Sequence, residues 1–99
     1  MSENKTIIDY LSLNKDRFQK EYHITKLGIF GSIARNDFSK ESDIDIIIEF
    51  EDNTPELYSI KEKLRQEISL EFNRQVDICR EKYIKPIFKN QIISEAIYV

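Results

Sequence analysis

The sequence predicts a small α/β (α+β) fold, a mixed β-sheet of about three strands packed with helices. Three observations carry this. Apolar runs of strand length stand at Thr25–Phe30, Ile44–Phe50 and Gln75–Cys79. Between the last two lies a long segment with apolar residues at three- and four-residue steps, the period of a helix with one buried face. Polar turns separate the elements, and at 99 residues the length suits one domain over 1–99, with a single core and no room for a separate substrate domain.

From Lys5 to Tyr22, Ile7, Ile8, Leu11, Phe18 and Tyr22 recur at mostly helical spacings, with Leu13-Asn14 suggesting a break between two short helices. Thr25–Phe30 then reads as a strand ending at Gly31, and Ile33-Ala34-Arg35 opens a short helical turn before polar Asn36 and Asp37. Ile44–Phe50 is apolar on both faces, which places it mid-sheet and covered on both sides. Thr54-Pro55-Glu56 has the form of a helix start, with a cap, a proline at the first helical position and an acid in the first turn. The helix is expected to run to about Asn73, with Leu57, Ile60, Leu64, Ile68 and Phe72 as its apolar stripe. Gln75–Cys79 is the third strand, and Pro86 to about Ile97 a final helix.

Composition excludes several classes of function. One cysteine, Cys79, rules out an internal disulfide, and with one histidine, His23, it cannot build a structural zinc site, so any metal would be held by oxygen. A net charge of -3 with scattered Lys and Arg argues against direct nucleic-acid binding. No segment is long and apolar enough to cross a membrane. The opening Met1-Ser2-Glu3-Asn4-Lys5 lacks the basic and apolar stretches of a signal peptide, so the cytoplasm is the expected location. His23 is expected as an exposed cap and Cys79 as a small buried side chain.

The chemistry concentrates in three aspartates. Asp43 and Asp45 stand one residue apart at the head of Ile46-Ile47-Ile48, and Asp77 lies inside Val76-Asp77-Ile78. Alternation along a strand points Asp43 and Asp45 the same way, and an adjacent strand would bring Asp77 beside them. Two like charges about 4 Å apart repel by roughly 4 kcal/mol at an effective dielectric near 20. Such a cluster needs protons or a cation, and magnesium, which takes oxygen ligands and leaves positions for phosphate oxygens, fits best. The plainer readings are that Asp43 caps a strand and that Asp45 and Asp77 pair with Arg35, Arg65 or Arg74. Upstream, Gly31-Ser32 at a strand end lets the backbone approach a phosphate, and the amides and hydroxyl that follow can donate to it. Ten residues separate this turn from Asp43-Ile44-Asp45. Arg35 is a further candidate for binding phosphate or a partner, with neutralisation of Asp37 or Glu41 as the alternative.

Gly31-Ser32-Ile33-Ala34-Arg35, the ten-residue gap, Ser42-Asp43-Ile44-Asp45 and Val76-Asp77-Ile78 resemble the minimal nucleotidyltransferases of the DNA polymerase beta-like superfamily. The resemblance runs from the first helix to Glu95-Ala96-Ile97-Tyr98-Val99. It implies the polymerase beta-like nucleotidyltransferase fold, a nucleotide triphosphate on Gly31 and Ser32, and magnesium, as two ions, on Asp43, Asp45 and Asp77, with ATP as substrate. The family often has glycine after the arginine, where this chain has Asn36; asparagine tolerates a left-handed backbone, so the turn is expected to survive.

Members of this size resemble antitoxins encoded beside a HEPN-type ribonuclease toxin, and the resemblance implies neutralisation by transfer of AMP to a tyrosine of that toxin. Asp77 is then the candidate general base. Two rival readings remain: an antitoxin that acts by binding alone, through Ile92, Ile93, Ile97, Tyr98 and Val99, and an enzyme acting on a small molecule in a pocket completed by an oligomer, homo- or hetero-.

Overall fold

The computed structural model describes residues 3–39 and 41–99; Met1 and Ser2, part of the leader argument, lie outside them. Helix α1 spans Glu3–Tyr22, strand β1 Ile24–Phe30, helix α2 Gly31–Arg35 and strand β2 Ile44–Phe50. Helix α3 (Leu57–Phe72), strand β3 (Val76–Arg80), a 3-10 turn (Glu81–Tyr83), helix α4 (Pro86–Glu95) and strand β4 (Ile97–Tyr98) complete the chain. The sheet order is β3-β2-β1-β4. β2 pairs antiparallel with β1 and parallel with β3, α3 forming the crossover. The mixed α/β architecture is the one expected, with one strand more.

The alternation of β2 divides the sheet into two faces. Ile44, Ile46, Ile48 and Phe50 point into a core shared with Leu27 and Ile29 of β1, Val76 and Ile78 of β3, Ile7, Leu11 and Phe18 of α1, and Leu64 and Ile68 of α3. Leu57, Ile60 and Phe72 pack on its margin, so the stripe expected along α3 is the face that docks. Asp45, Ile47 and Glu49 belong to the opposite face, where Ile47 is fully buried. β2 is thus central and covered on both sides, as its apolar pattern requires.

Three expectations need correction. α1 does not break at Leu13-Asn14: Asn14 Nδ2 donates to the Tyr10 carbonyl at 2.8 Å, so its amide serves the helix, while Leu13 simply faces solvent. α3 starts at Leu57, three residues past the expected cap. Thr54 instead closes a turn, with its amide and hydroxyl both on the Glu51 carbonyl at 3.3 and 2.7 Å, and Glu56 enters the helix with φ 56°.

The last helix stops at Glu95, Ala96 is extended, and Ile97–Tyr98 join the free edge of β1 opposite Gly28 and Ile29. Val99 N–H then donates to the Leu27 carbonyl at 2.9 Å. Ile97, Tyr98 and Val99 suit a strand, and Gly28 lets it approach: a Cβ there would stand 2.7 Å from the Ile97 carbonyl oxygen. Among the described residues no helix is long and apolar enough to cross a membrane.

Candidate active site

The end of β1 meets the start of β2 and β3 at one corner of the sheet. Phe30 lies opposite Asp45 in the β1–β2 ladder, and Asp45 lies opposite Asp77 in the β2–β3 ladder. Residues in register on neighbouring strands are about 4.8 Å apart with side chains on the same face, so Asp45 and Asp77 stand side by side. Asp43, one residue before β2, is exposed and within electrostatic reach of Asp45.

Gly31 turns the chain out of β1 with φ +71°, and a Cβ there would collide with Asp45 Oδ2. The backbone of the Gly-Ser turn is therefore seated on the Asp45 carboxylate. Fully buried Ile33 anchors α2, and Asn36 ends it at φ 61°, the left-handed position expected of it, its N–H donating to Ile33 O at 3.2 Å. Asp37 N–H donates to Ser32 O at 3.1 Å, closing the turn beneath the half-exposed Ser32.

Asp45 is half-buried, and its carboxyl is pushed up to about 6, first by burial and then by the charges of Asp77 and Asp43; Arg35 opposes this weakly. Asp77, expected to be as embedded as Asp45, is exposed because β3 is an edge strand. The arginines proposed as partners are engaged elsewhere. Arg65 binds Glu62, and Arg74 Nη1 donates to the Ser39 and Ser42 carbonyls at 3.0 and 2.7 Å. Arg35 bonds Asp37 at 3.1 Å and Glu95 at 3.2 Å, rather than Glu41, and both carboxylates raise its pKa. Glu95, 60 residues away in sequence, gave no local signal.

Among the described residues no three Asp, Glu, His or Cys side chains converge into a ready-made metal cage. The donor set nevertheless fits a hard divalent cation: it is all oxygen, and a cation would relieve the repulsion that raises Asp45. Magnesium is characteristically held by one or two carboxylates, with substrate phosphates and water completing its shell.

Outside this corner, His23 is exposed at φ 57° where α1 ends, as expected. Cys79 is half-buried on the Asp45 face, one residue short of the end of β3. Two hollows of about 350 and 390 Å³ among the described residues are lined by residues other than the aspartates.

The sequence matches the nucleotidyltransferase domain family over residues 11–99. The chain belongs to this family. It is similar to the protein named Putative protein adenylyltransferase MJ0128 of Methanocaldococcus jannaschii, 36% identical over 94 residues that make up 94% of each chain. Its backbone resembles a solved structure described as a putative minimal nucleotidyltransferase, with TM-score 0.80, 22% identity, and 97% and 95% of the two chains covered. It also resembles a chain of a toxin-antitoxin crystallised with AMP-PNP, with TM-score 0.66, 18% identity, and 98% of this chain and 72% of that one covered. The fold is that of the polymerase beta-like nucleotidyltransferases.

Proposed function

We propose that this member of the nucleotidyltransferase family is a magnesium-dependent protein adenylyltransferase of the cytoplasm that neutralises a HEPN-type toxin by transferring AMP from ATP to a tyrosine hydroxyl. The observation that carries the reading is the corner itself: a glycine backbone seated on Asp45, with Asp77 in register beside it and the charges of Asp77 and Asp43 outweighing that of Arg35 at its carboxylate. The toxin partner is supported by the likeness to the toxin-antitoxin chain and the chemistry by the adenylyltransferase relative.

The amides of the Gly31-Ser32 turn and the Ser32 hydroxyl bind the triphosphate, and Arg35 is the nearby cation that can exchange Asp37 or Glu95 for phosphate. Asp43, Asp45 and Asp77 would hold magnesium, which when bound neutralises phosphate charge and the developing charge on the leaving group. The acceptor oxygen forms a bond to the α-phosphorus as the bond from that phosphorus to the bridging oxygen breaks. Pyrophosphate leaves with the electron pair. The hydroxyl proton passes to Asp77, the most exposed of the strand carboxylates and the one on the open edge.

The test is to incubate the protein and magnesium with the product of the neighbouring gene and each of the four nucleotides in turn, then measure intact mass. An AMP adduct on a tyrosine is expected, reduced at least about 100-fold by Asp43→Ala or Asp45→Ala, the scale seen when a transition-state charge loses its stabilisation. Neutralisation that survives both substitutions without any adduct would establish binding alone. That rival has its own support in α4, where Ile87 and Phe88 are 82% and 51% exposed. An adduct on a small molecule instead of the protein would favour the other rival.

A further inference from the structure

One edge of the sheet opens directly beside the aspartates. β3 ends the order β3-β2-β1-β4, so one row of its peptide groups faces away from the sheet, the arrangement to which an extended chain can add. Asp77 is the second residue of this strand. Further along it, a hollow of about 390 Å³ is lined by Ile78 and Cys79 of β3, Tyr58 and Lys61 of α3, and Tyr83 of the 3-10 turn. The Tyr58 and Tyr83 side chains are 83% and 67% exposed.

The hollow lies along the same strand as Asp77. Cys79, which lines the hollow, is two residues beyond Asp77 on the same face of β3. At about 3.3 Å per residue, Cys79 and Arg80 lie about 7–10 Å beyond Asp77. The two cations of the hollow differ. Arg80 is committed, its Nε 2.9 Å from Glu49 and its guanidinium stacked 4.8 Å from the Tyr83 ring centre. Lys61 has no ion pair among the described residues. An open strand edge, two exposed aromatic rings and one uncommitted ammonium describe a seat for an extended segment carrying an acidic side chain.

We propose that the β3 edge is the acceptor track: an extended acidic segment of the partner protein adds to β3 as a further strand. An acidic side chain of that segment sits on Lys61, a neighbouring side chain lies against Tyr58 and Tyr83, and a hydroxyl two to four residues along the segment reaches Asp77. The inference rests on the transfer reading and adds what selects the acceptor: backbone edge pairing for conformation, Lys61 for charge.

The test uses fluorescent peptides of about eight residues, the length that spans the edge, each with one tyrosine flanked either by glutamates or by lysines. Fluorescence anisotropy should show the acidic peptide binding at least about tenfold tighter than the basic one, a difference that Lys61→Glu reverses. Lys63→Glu, an equal charge change at an exposed position outside the hollow, should leave the preference unchanged. N-methylation along the acidic peptide should weaken binding with a two-residue period, as each second amide faces β3. Equal binding of the two peptides, indifference to Lys61→Glu, or no such period would overturn the proposal. A full-length partner that acquires AMP equally well from the parent and from Lys61→Glu would sink the track while leaving transfer standing. A peptide that docks as described while neither it nor the partner ever acquires AMP would sink the transfer reading instead.

Discussion

Replacing Asp45 by asparagine should make the metal-free protein more stable, not less. In the folded chain the carboxyl is raised from 3.8 to about 6, by burial first and then by Asp77 and Asp43. At about 1.36 kcal/mol per pH unit this corresponds to about 3 kcal/mol against the charged form, and water around a half-exposed carboxylate reduces it to about 1–2 kcal/mol. The sign follows from proton binding: the folded state holds this proton more tightly than the unfolded chain. Its stabilising effect is therefore complete below pH 3.8 and is lost as pH rises to about 6. Urea denaturation in EDTA should accordingly place Asp45→Asn about 1–2 kcal/mol above the parent at pH 7.5, with the gap closing toward pH 4. Adding magnesium and a non-hydrolysable ATP analogue should stabilise the parent and leave the variant nearly unmoved. A variant clearly less stable than the parent in EDTA would refute this reasoning, because it would show Asp45 to be one half of a structural ion pair.

Gly31→Ala should lose at least about 2 kcal/mol, from a left-handed backbone and a Cβ driven into the Asp45 carboxylate, and urea unfolding measures it. Asn36→Gly, at φ 61° on an exposed turn, should instead gain about 0.5–1 kcal/mol in the same assay. Glu67 accepts hydrogen bonds from Tyr22 at 2.7 Å, Tyr10 at 3.3 Å and the Arg17 guanidinium, which with the two hydroxyls holds its carboxyl below the usual range. Glu67→Ala should cost about 2 kcal/mol at pH 7. That stability is present above the ordinary 4.5 and fades as pH falls through the lowered value, so parent and variant should converge in acid.

What the sequence revealed and what it concealed follow the range of the interactions. β2 is legible because an apolar run covered on both faces needs only its own residues to be recognised. Gly31 and Asn36 are legible because a left-handed backbone narrows the choice of residue locally. β4 is hidden for the opposite reason: Ile93 and Ile97 keep a helical spacing, and only the vacant edge of β1 with its Gly28 draws Ile97 into a strand. Thr54 misleads because the Glu51 carbonyl takes its hydroxyl. At the site, the alternation of Asp43 and Asp45 can be read directly, whereas the exposure of Asp77 depends on β3 lying at an edge and the tether of Arg35 on a glutamate at the far end of the chain.

Two acids of one strand show how the Asp45 corner differs from an ordinary polar strand end. Asp45 and Glu49 lie on the same face of β2, two residues either side of buried Ile47. Burial works against the charge of both. At Glu49 it is outweighed: Arg80 Nε donates at 2.9 Å, and the Phe50 and Lys82 amides donate at 3.1 Å each, so the carboxyl falls below its usual range. At Asp45 the charges of Asp77 and Asp43 add to burial and outweigh that of Arg35, and the carboxyl rises. A fold that supplies a cation and two amides to one end of a strand is not short of means to satisfy an acid at the other. The unbalanced charge therefore stands where a glycine backbone and an open strand edge meet it, and a cation carried in with a triphosphate would complete for Asp45 what Arg80 completes for Glu49.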